Sequence, residues 1–352
     1  MAEAALRRPK VSVCIPTYNR APLLEGFLAS ILSQTHADFE VIVSDNCSTD
    51  QTRDIISACS DARVRYYRNE TNIGPYPNMN RLLDLARGDY VCILHDDDVY
   101  APDFLQRESD VLDTYPNVGM VHCAVREVDA QGAPRRTVRA YPTTRVLPGA
   151  SEFVRYLQGH NVCCSSVMAR RSVFAAAGPF DARYLCADFL MWMKFALKAD
   201  IAYIADPLLA MRVHTENVTS WLNPARWHQE FVAILEEGFA LGTIVYPALS
   251  TERTRLFKTA ARAQGRRFLV AALAAVARGD FALAEGYADV LEKLRALGLS
   301  RGYSMAARAS MNAAGRGILS MLVVVRRAIA RGLARPQPLP VPLTTFHVER
   351  LK

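Results

Sequence analysis

The sequence predicts an α/β domain, a three-layer sandwich around a mostly parallel sheet, followed by a helical appendage. Three observations predict it. Strand-like and helix-like segments alternate through the first third of the chain, the spacing of parallel crossovers. Within Gly88–Tyr100, G-D-Y-V-C-I-L-H-D-D-D-V-Y, residues Tyr90–Leu94 have the apolar composition of a strand buried on both faces. From about Ala225 the composition changes to long Ala/Leu/Arg-rich helices, such as Phe257–Arg278 and Phe281–Leu297.

Val11–Ile15 is apolar and β-rich and predicts the first strand. Ala21–Gln34 carries Leu23, Leu24, Phe27, Leu28, Ile31 and Leu32 at helical spacing. Phe39–Ser44 is the next strand, and Ser48-Thr49-Asp50 offers a cap for a helix over Gln51–Ala58. Val64–Arg68 reads as a third strand. Asn78–Arg87 reads as an amphipathic helix that Gly88 ends. Tyr90–Leu94 is the fourth strand and Val118–Val125 a fifth. Asp129–Leu147 is polar, with Arg135-Arg136 and two prolines, and predicts an excursion or an edge hairpin. Ser151–Gln158 resumes as a helix and Cys163–Met168 as a strand. The expected division is a catalytic domain over 1–224, a helical region over 225–335 and a loose Pro-rich tail over 336–352.

At 352 residues, 51% hydrophobic and 22% charged, the chain is globular and can bury a large core. The net charge of +7 conceals an asymmetry. Residues 251–352 hold 18 Lys/Arg and 6 Asp/Glu, a net +12, which leaves the first 250 residues at −5. A basic tail behind an acidic body suits an anionic partner such as a membrane surface. No RNP-like or zinc-finger pattern supports nucleic acid. Eight cysteines without a C-x-x-C pair read as small buried hydrophobes in a reducing compartment. Met1–Lys10 lacks the apolar stretch of a secretory signal, and Ile318–Val325 is too short to span a bilayer. The expected location is cytoplasmic, peripheral to the inner membrane face if Arg316–Arg335 lies on lipid.

Asp96, Asp97 and Asp98 fall just past the carboxyl end of the fourth strand, the edge at which open α/β sheets bind ligands. Three adjacent carboxylates repel one another unless a cation or water compensates. Hard oxygen ligands of this kind suit Mg²⁺ or Mn²⁺, and those ions suit a diphosphate.

Four segments together resemble the family 2 glycosyltransferases of the GT-A fold. They are Val13–Arg20 (V-C-I-P-T-Y-N-R), Val41–Asp50 (V-I-V-S-D-N-C-S-T-D), Asn72–Asp98 ending in H-D-D-D, and Ala187–Trp192 (A-D-F-L-M-W) with Met211–Ser220 (M-R-V-H-T-E-N-V-T-S). The resemblance covers about residues 10–222 and leaves the tail outside. It implies that Tyr18 stacks on a nucleotide base, with Pro16 and Thr17 in the same cradle. Asp45 would accept a hydrogen bond from the base, which favours uracil or thymine. Asp97 would ligate the metal, with Asp98 and His214 joining it. Asp96 would assist through ribose or metal-bound water, and Arg212 would neutralise phosphate. Asp188 would be the catalytic base.

Two positions depart from the family pattern. His95 stands where many members have the first Asp of D-x-D, and Ala187 where the family usually has Glu before the catalytic Asp. The implied activity is metal-dependent, inverting transfer from a nucleoside-diphosphate-sugar, UDP or dTDP, to a saccharide or lipid-linked acceptor, as in cell-surface polysaccharide biosynthesis. A non-catalytic glycosyltransferase-like binding protein and a sugar-phosphate nucleotidyltransferase stand as alternatives. The latter needs a Gly-rich basic loop where this chain has P-T-Y-N.

Overall fold

The computed structural model describes residues 8–159, 162–213 and 223–314. One compact unit runs to Ala263 and a second begins at Gln264. In the first, β1 (Val11–Thr17), β2 (Phe39–Asp45), β3 (Val64–Arg68) and β4 (Tyr90–Ile93) pair in parallel in the order β3-β2-β1-β4. Mostly apolar runs without alternation made β1, β2 and β4 legible, and these three are buried almost throughout. The order reverses between β1 and β4, which makes their carboxyl ends the switch point of the sheet.

Beyond β4 the sheet continues as β9 (Val167–Arg170), β6 (Val118–Val128), β10 (Asp200–Arg212) and the two-residue β5 (Val99–Tyr100). β9 is antiparallel to both β4 and β6, so β6 regains the direction of β4. The segment expected as a strand over Cys163–Met168 begins instead with a 3-10 turn at Cys164–Ser166, closed by Ser166 N–H on the Cys163 carbonyl. The polar stretch after β6 is a hairpin. β7 (Pro134–Val138) pairs antiparallel with β6, and β8 (Arg145–Leu147) pairs with β10.

Helices α1 (Ala21–Leu32), α2 (Thr52–Ala58), α3 (Pro75–Leu85), α4 (Phe104–Thr114), α5 (Gly149–Leu157), α6 (Arg171–Ala177) and α7 (Ala187–Ala196) alternate with these strands. Asp50 caps two of them: its carboxylate accepts Thr52 N–H at 3.0 Å and Ala21 N–H at 3.0 Å. Gly88 is not a helix cap. α3 ends at Leu85, and a Cβ on Gly88 would stand 2.6 Å from the Ser12 backbone nitrogen. The glycine is there for close approach to β1, where Ser12 Oγ accepts its N–H at 2.8 Å.

α8 (Pro224–Val245), capped by Asn223, packs on α7, and α9 (Arg253–Ala277) follows. In the second unit, α10 (Phe281–Lys293) and α11 (Gly302–Ala314) are joined by Arg308 bridging to Glu285 and Asp289. No helix among the described residues is long and apolar enough to cross a membrane. The Pro-rich 336–352 and the Arg316–Arg335 segment lie outside the described residues. All eight cysteines are free thiols.

One core residue carries a stability prediction. Glu108 on α4 is fully buried, and neither carboxyl oxygen has a hydrogen-bond partner. Burial pushes its carboxyl well above the ordinary range, the Cys123 thiol acting the other way. The folded chain therefore holds a proton that the unfolded chain releases above about pH 4.5. This contribution is fully present below that pH. Above it, stability falls by about 1.4 kcal/mol per pH unit until the folded carboxyl itself ionises. Glu108→Gln removes the titration. Its urea midpoint should lie near that of the parent at pH 4.5 and above it at pH 8, and a difference independent of pH would refute the buried proton.

Candidate active site

The rim of the site is built where β1 and β2 leave the sheet. Asn46 N–H donates to the Thr17 carbonyl, Asn19 N–H to Ser48 Oγ at 2.9 Å, and Thr49 N–H to Asn19 Oδ1 at 2.8 Å. The two loops thus form one lip, with Asn19 and Cys47 in left-handed backbone at φ 53° and 70°. Asparagine tolerates this conformation. Cys47, where the family pattern has Gly, bears a strain of about 1 kcal/mol. Tyr18 stands on the lip, 45% exposed, beside partly buried Pro16 and buried Thr17.

Asp45 is fully buried. Ser48 N–H donates to Oδ1 at 2.8 Å, Tyr66 hydroxyl to Oδ2 at 2.6 Å, and the Arg68 guanidinium lies 3.6 Å from Oδ2. In this conformation the carboxylate holds the lip from beneath.

Asp96, Asp97 and Asp98 follow β4 and are all buried. Asp98 is anchored on both oxygens, by Arg212 N–H at 3.0 Å and Ser165 Oγ at 2.6 Å. Burial pushes its carboxyl up to about 6, with His95 opposing and Asp97 adding to the rise. Asp96 has no hydrogen-bond partner on Oδ2, and burial pushes it to about 7 despite the nearby Thr17 hydroxyl. His95 Nε2 is likewise buried without a partner. Ligand-capable atoms of His95, Asp97 and Asp98 lie within 4.8 Å of one another. Two carboxylates and an imidazole gathered this closely fit a divalent cation. Of the residues assigned to a metal from sequence, Asp97 and Asp98 come together here, and His95 joins them. His214 lies outside the described residues.

Asp188 is the second residue of α7, two past the Cys186 cap position, so it does not itself cap the helix. It is half-buried at its surface, and loss of solvation around the carboxyl pushes it up, with the Phe189 N–H, His95 and Tyr76 pulling it back. The Tyr76 hydroxyl lies 3.4 Å from Asp188 Oδ1 and donates to the Leu185 carbonyl at 2.8 Å. His95 therefore acts on Asp188 as well as on Asp96 and Asp98. Cys163 and Cys164 are also raised, by burial first and then by the charges of both Asp98 and Asp188. The acidic loop and Asp188 thus lie near common neighbours.

Arg212 is a strut. Its guanidinium donates to the Asp97 carbonyl at 3.2 Å and the Ala130 carbonyl at 2.8 Å, tying the acidic loop to the turn between β6 and β7. Sequence reasoning missed Tyr76, whose place inside N-I-G-P-Y-P-N carries no chemical signal. It read His95 as a departure, although a histidine directly before an Asp triplet is itself a ligand signal.

Residues 12–178 match the family described as Glycosyl transferase family 2. A "PGL/p-HBAD biosynthesis glycosyltransferase" of Mycobacterium bovis is 33% identical over 179 residues, 50% of this chain and 65% of that protein. The chain spans from about a third to about two thirds of the length of the first curated relatives it matches. Among solved structures, S. aureus TarS 1-349 in complex with UDP-GlcNAc superposes with TM-score 0.59 at 20% identity, over 91% of this chain and 92% of that one. The Pyrobaculum calidifontis mannosyltransferase PcManGT, in complex with GDP-Man and Mn2+, gives TM-score 0.52 at 22% identity, over 94% of this chain and 82% of that one. At these identities the two structures speak to the fold.

Proposed function

The chain belongs to the family 2 glycosyltransferases, and from that premise we propose that it moves a sugar from a nucleoside-diphosphate-sugar to an acceptor hydroxyl with inversion at the anomeric carbon. The observation that carries this reading is the gathering of His95, Asp97 and Asp98 just past β4, with Asp188 near common neighbours. Asp188 takes the acceptor proton as the acceptor oxygen bonds to the anomeric carbon. The bond from that carbon to the diphosphate breaks, and its electron pair leaves with the diphosphate. A carboxyl raised toward neutrality is a stronger base than one in free solution.

Asp97 and His95, with Asp98 behind them, would hold Mg²⁺ or Mn²⁺, which when bound neutralises charge on the departing diphosphate. An imidazole among the donors shifts the preference from Mg²⁺ toward Mn²⁺ or another transition ion. Tyr18 offers its exposed face to the base, Pro16 and Thr17 line the same cradle, and Asp96 is placed for ribose. Asp45, beneath the lip, would favour uracil or thymine by accepting a hydrogen bond from the base beside those from Ser48 and Tyr66. Arg212 serves by bracing the Asp97 backbone. The acceptor in this reading is a saccharide or lipid-linked hydroxyl, as in assembly of a cell-surface polysaccharide.

Incubation with a panel of UDP-, dTDP- and GDP-sugars, with Mn²⁺, with Mg²⁺ and with chelator, tests the reading through nucleoside diphosphate release. One donor class should be consumed, and only with a divalent ion. Consumption of none under any condition would leave a binding protein in place of an enzyme.

A further inference from the structure

The departure at Ala187 removes a carboxylate from the segment that carries Asp188, and α7 has no side-chain cap of its own at Cys186. A carboxylate from elsewhere stands at that helix start. Glu230, on the second turn of α8 and 8% exposed, accepts Leu185 N–H at 2.7 Å and Cys186 N–H at 3.0 Å on Oε2. Its Oε1 receives the Arg226 guanidinium at 3.2 Å. Two turns on, Glu237 takes the Arg183 guanidinium and the Tyr184 hydroxyl, each at 3.0 Å. Residues 183–186 are thus gripped by two glutamates of one helix. Tyr76 holds the Leu185 carbonyl from α3, and Phe189 stacks on Phe231 with centroids 6.4 Å apart.

We propose that Glu230 is a positioning residue for sugar transfer. From α8 it fixes the 185–186 backbone and so sets Asp188, two residues on, against the acceptor hydroxyl. A charged acceptor on two backbone donors is the strong form of a helix cap, and it compensates the positive end of α7. Three alternative roles fit less well. Glu230 is too far along the chain from Asp188 for a local turn, its pair with half-exposed Arg226 uses only Oε1, and its two bonds to backbone N–H groups on Oε2 have no purpose in solubility. A catalytic domain cut at residue 224 would lose this carboxylate, so α8 belongs with the transfer machinery.

The inference rests on the transferase reading, so two measurements on the full chain are paired. Amide exchange by mass spectrometry across residues 183–188 should be at least about 10-fold faster in Glu230→Ala and near parental in Glu230→Gln, which keeps an acceptor oxygen. With the nucleotide-sugar that the parent consumes, Glu230→Ala should lower kcat about 10–100-fold, with donor KM and UDP–Mn²⁺ affinity by calorimetry within about twofold. Glu230→Gln should restore most of the loss. In an Asp188→Asn background, Glu230→Ala should cost nothing further, because the effect passes through that carboxylate.

Equal losses in both backgrounds, or parental kcat alongside fast exchange, would overturn the role. Unchanged exchange would overturn the grip itself. A parent that consumes no donor overturns the transferase reading and this role with it. If Glu230→Ala melts early, Glu230→Asp keeps the charge and shortens the reach by one methylene. It should show the same pairing of faster exchange with lower kcat.

Discussion

Asp188→Asn should lower donor turnover by about 10²–10⁴-fold while leaving donor affinity within about twofold. The amide is nearly isosteric with the carboxylate, so the start of α7 and its grip on Tyr76 and the Phe189 N–H should survive. What is lost is the capacity to take a proton from the acceptor. Because the change touches the reacting hydrogen and not the nucleotide, it should appear in kcat and leave KM for the donor alone. Calorimetry with UDP and Mn²⁺ supplies the second reading. Near-parental turnover would release Asp188 from the role of base, and a parallel fall in UDP binding would show that it belongs to the donor subsite instead.

Asp97→Ala should have the opposite signature. UDP affinity in Mn²⁺ should drop by about 10²–10³-fold, the several kcal/mol that one charged ligand contributes at an ion binding diphosphate. Affinity measured in chelator should be the same for parent and variant. Asp97 is singled out because Asp98 has both oxygens occupied by Ser165 and the Arg212 N–H, so truncating Asp98 would loosen the loop and confuse the readout. Metal-enhanced UDP binding that persists in Asp97→Ala would move the ion elsewhere.

β1, β2 and β4 could be read because they are mostly apolar runs without alternation, and the β-rich Val64–Arg68 matches to the residue. The direction of β9 could not. A four-residue apolar strand fits either direction equally, and what decides it is pairing with β4 and β6, whose sequence is distant. Gly88 misled because a glycine after a helical pattern usually marks a left-handed cap, whereas here the constraint is the backbone of β1, 76 residues away. The same separation hides the site. Asp45 is sealed by Tyr66, Asp98 by Ser165 and Arg212, and the start of α7 by Glu230. Motifs named the carboxylates, but their partners come from other elements with no local signature. The compact division at Ala263 also falls later than the change in composition near Ala225, because α8 packs against α7.

The Arg212 strut has a consequence for how such an enzyme can change its acceptor. The turn after β6 is the kind of surface segment in which insertions are ordinarily tolerated, yet its Ala130 carbonyl shares a guanidinium with the peptide of Asp97. Lengthening or swapping that turn would therefore disturb the Asp96–Asp98 loop as well. Successful grafts here would need a compensating hydrogen-bond acceptor for Arg212, so new acceptor preferences should arise more readily from loops that leave this arginine undisturbed.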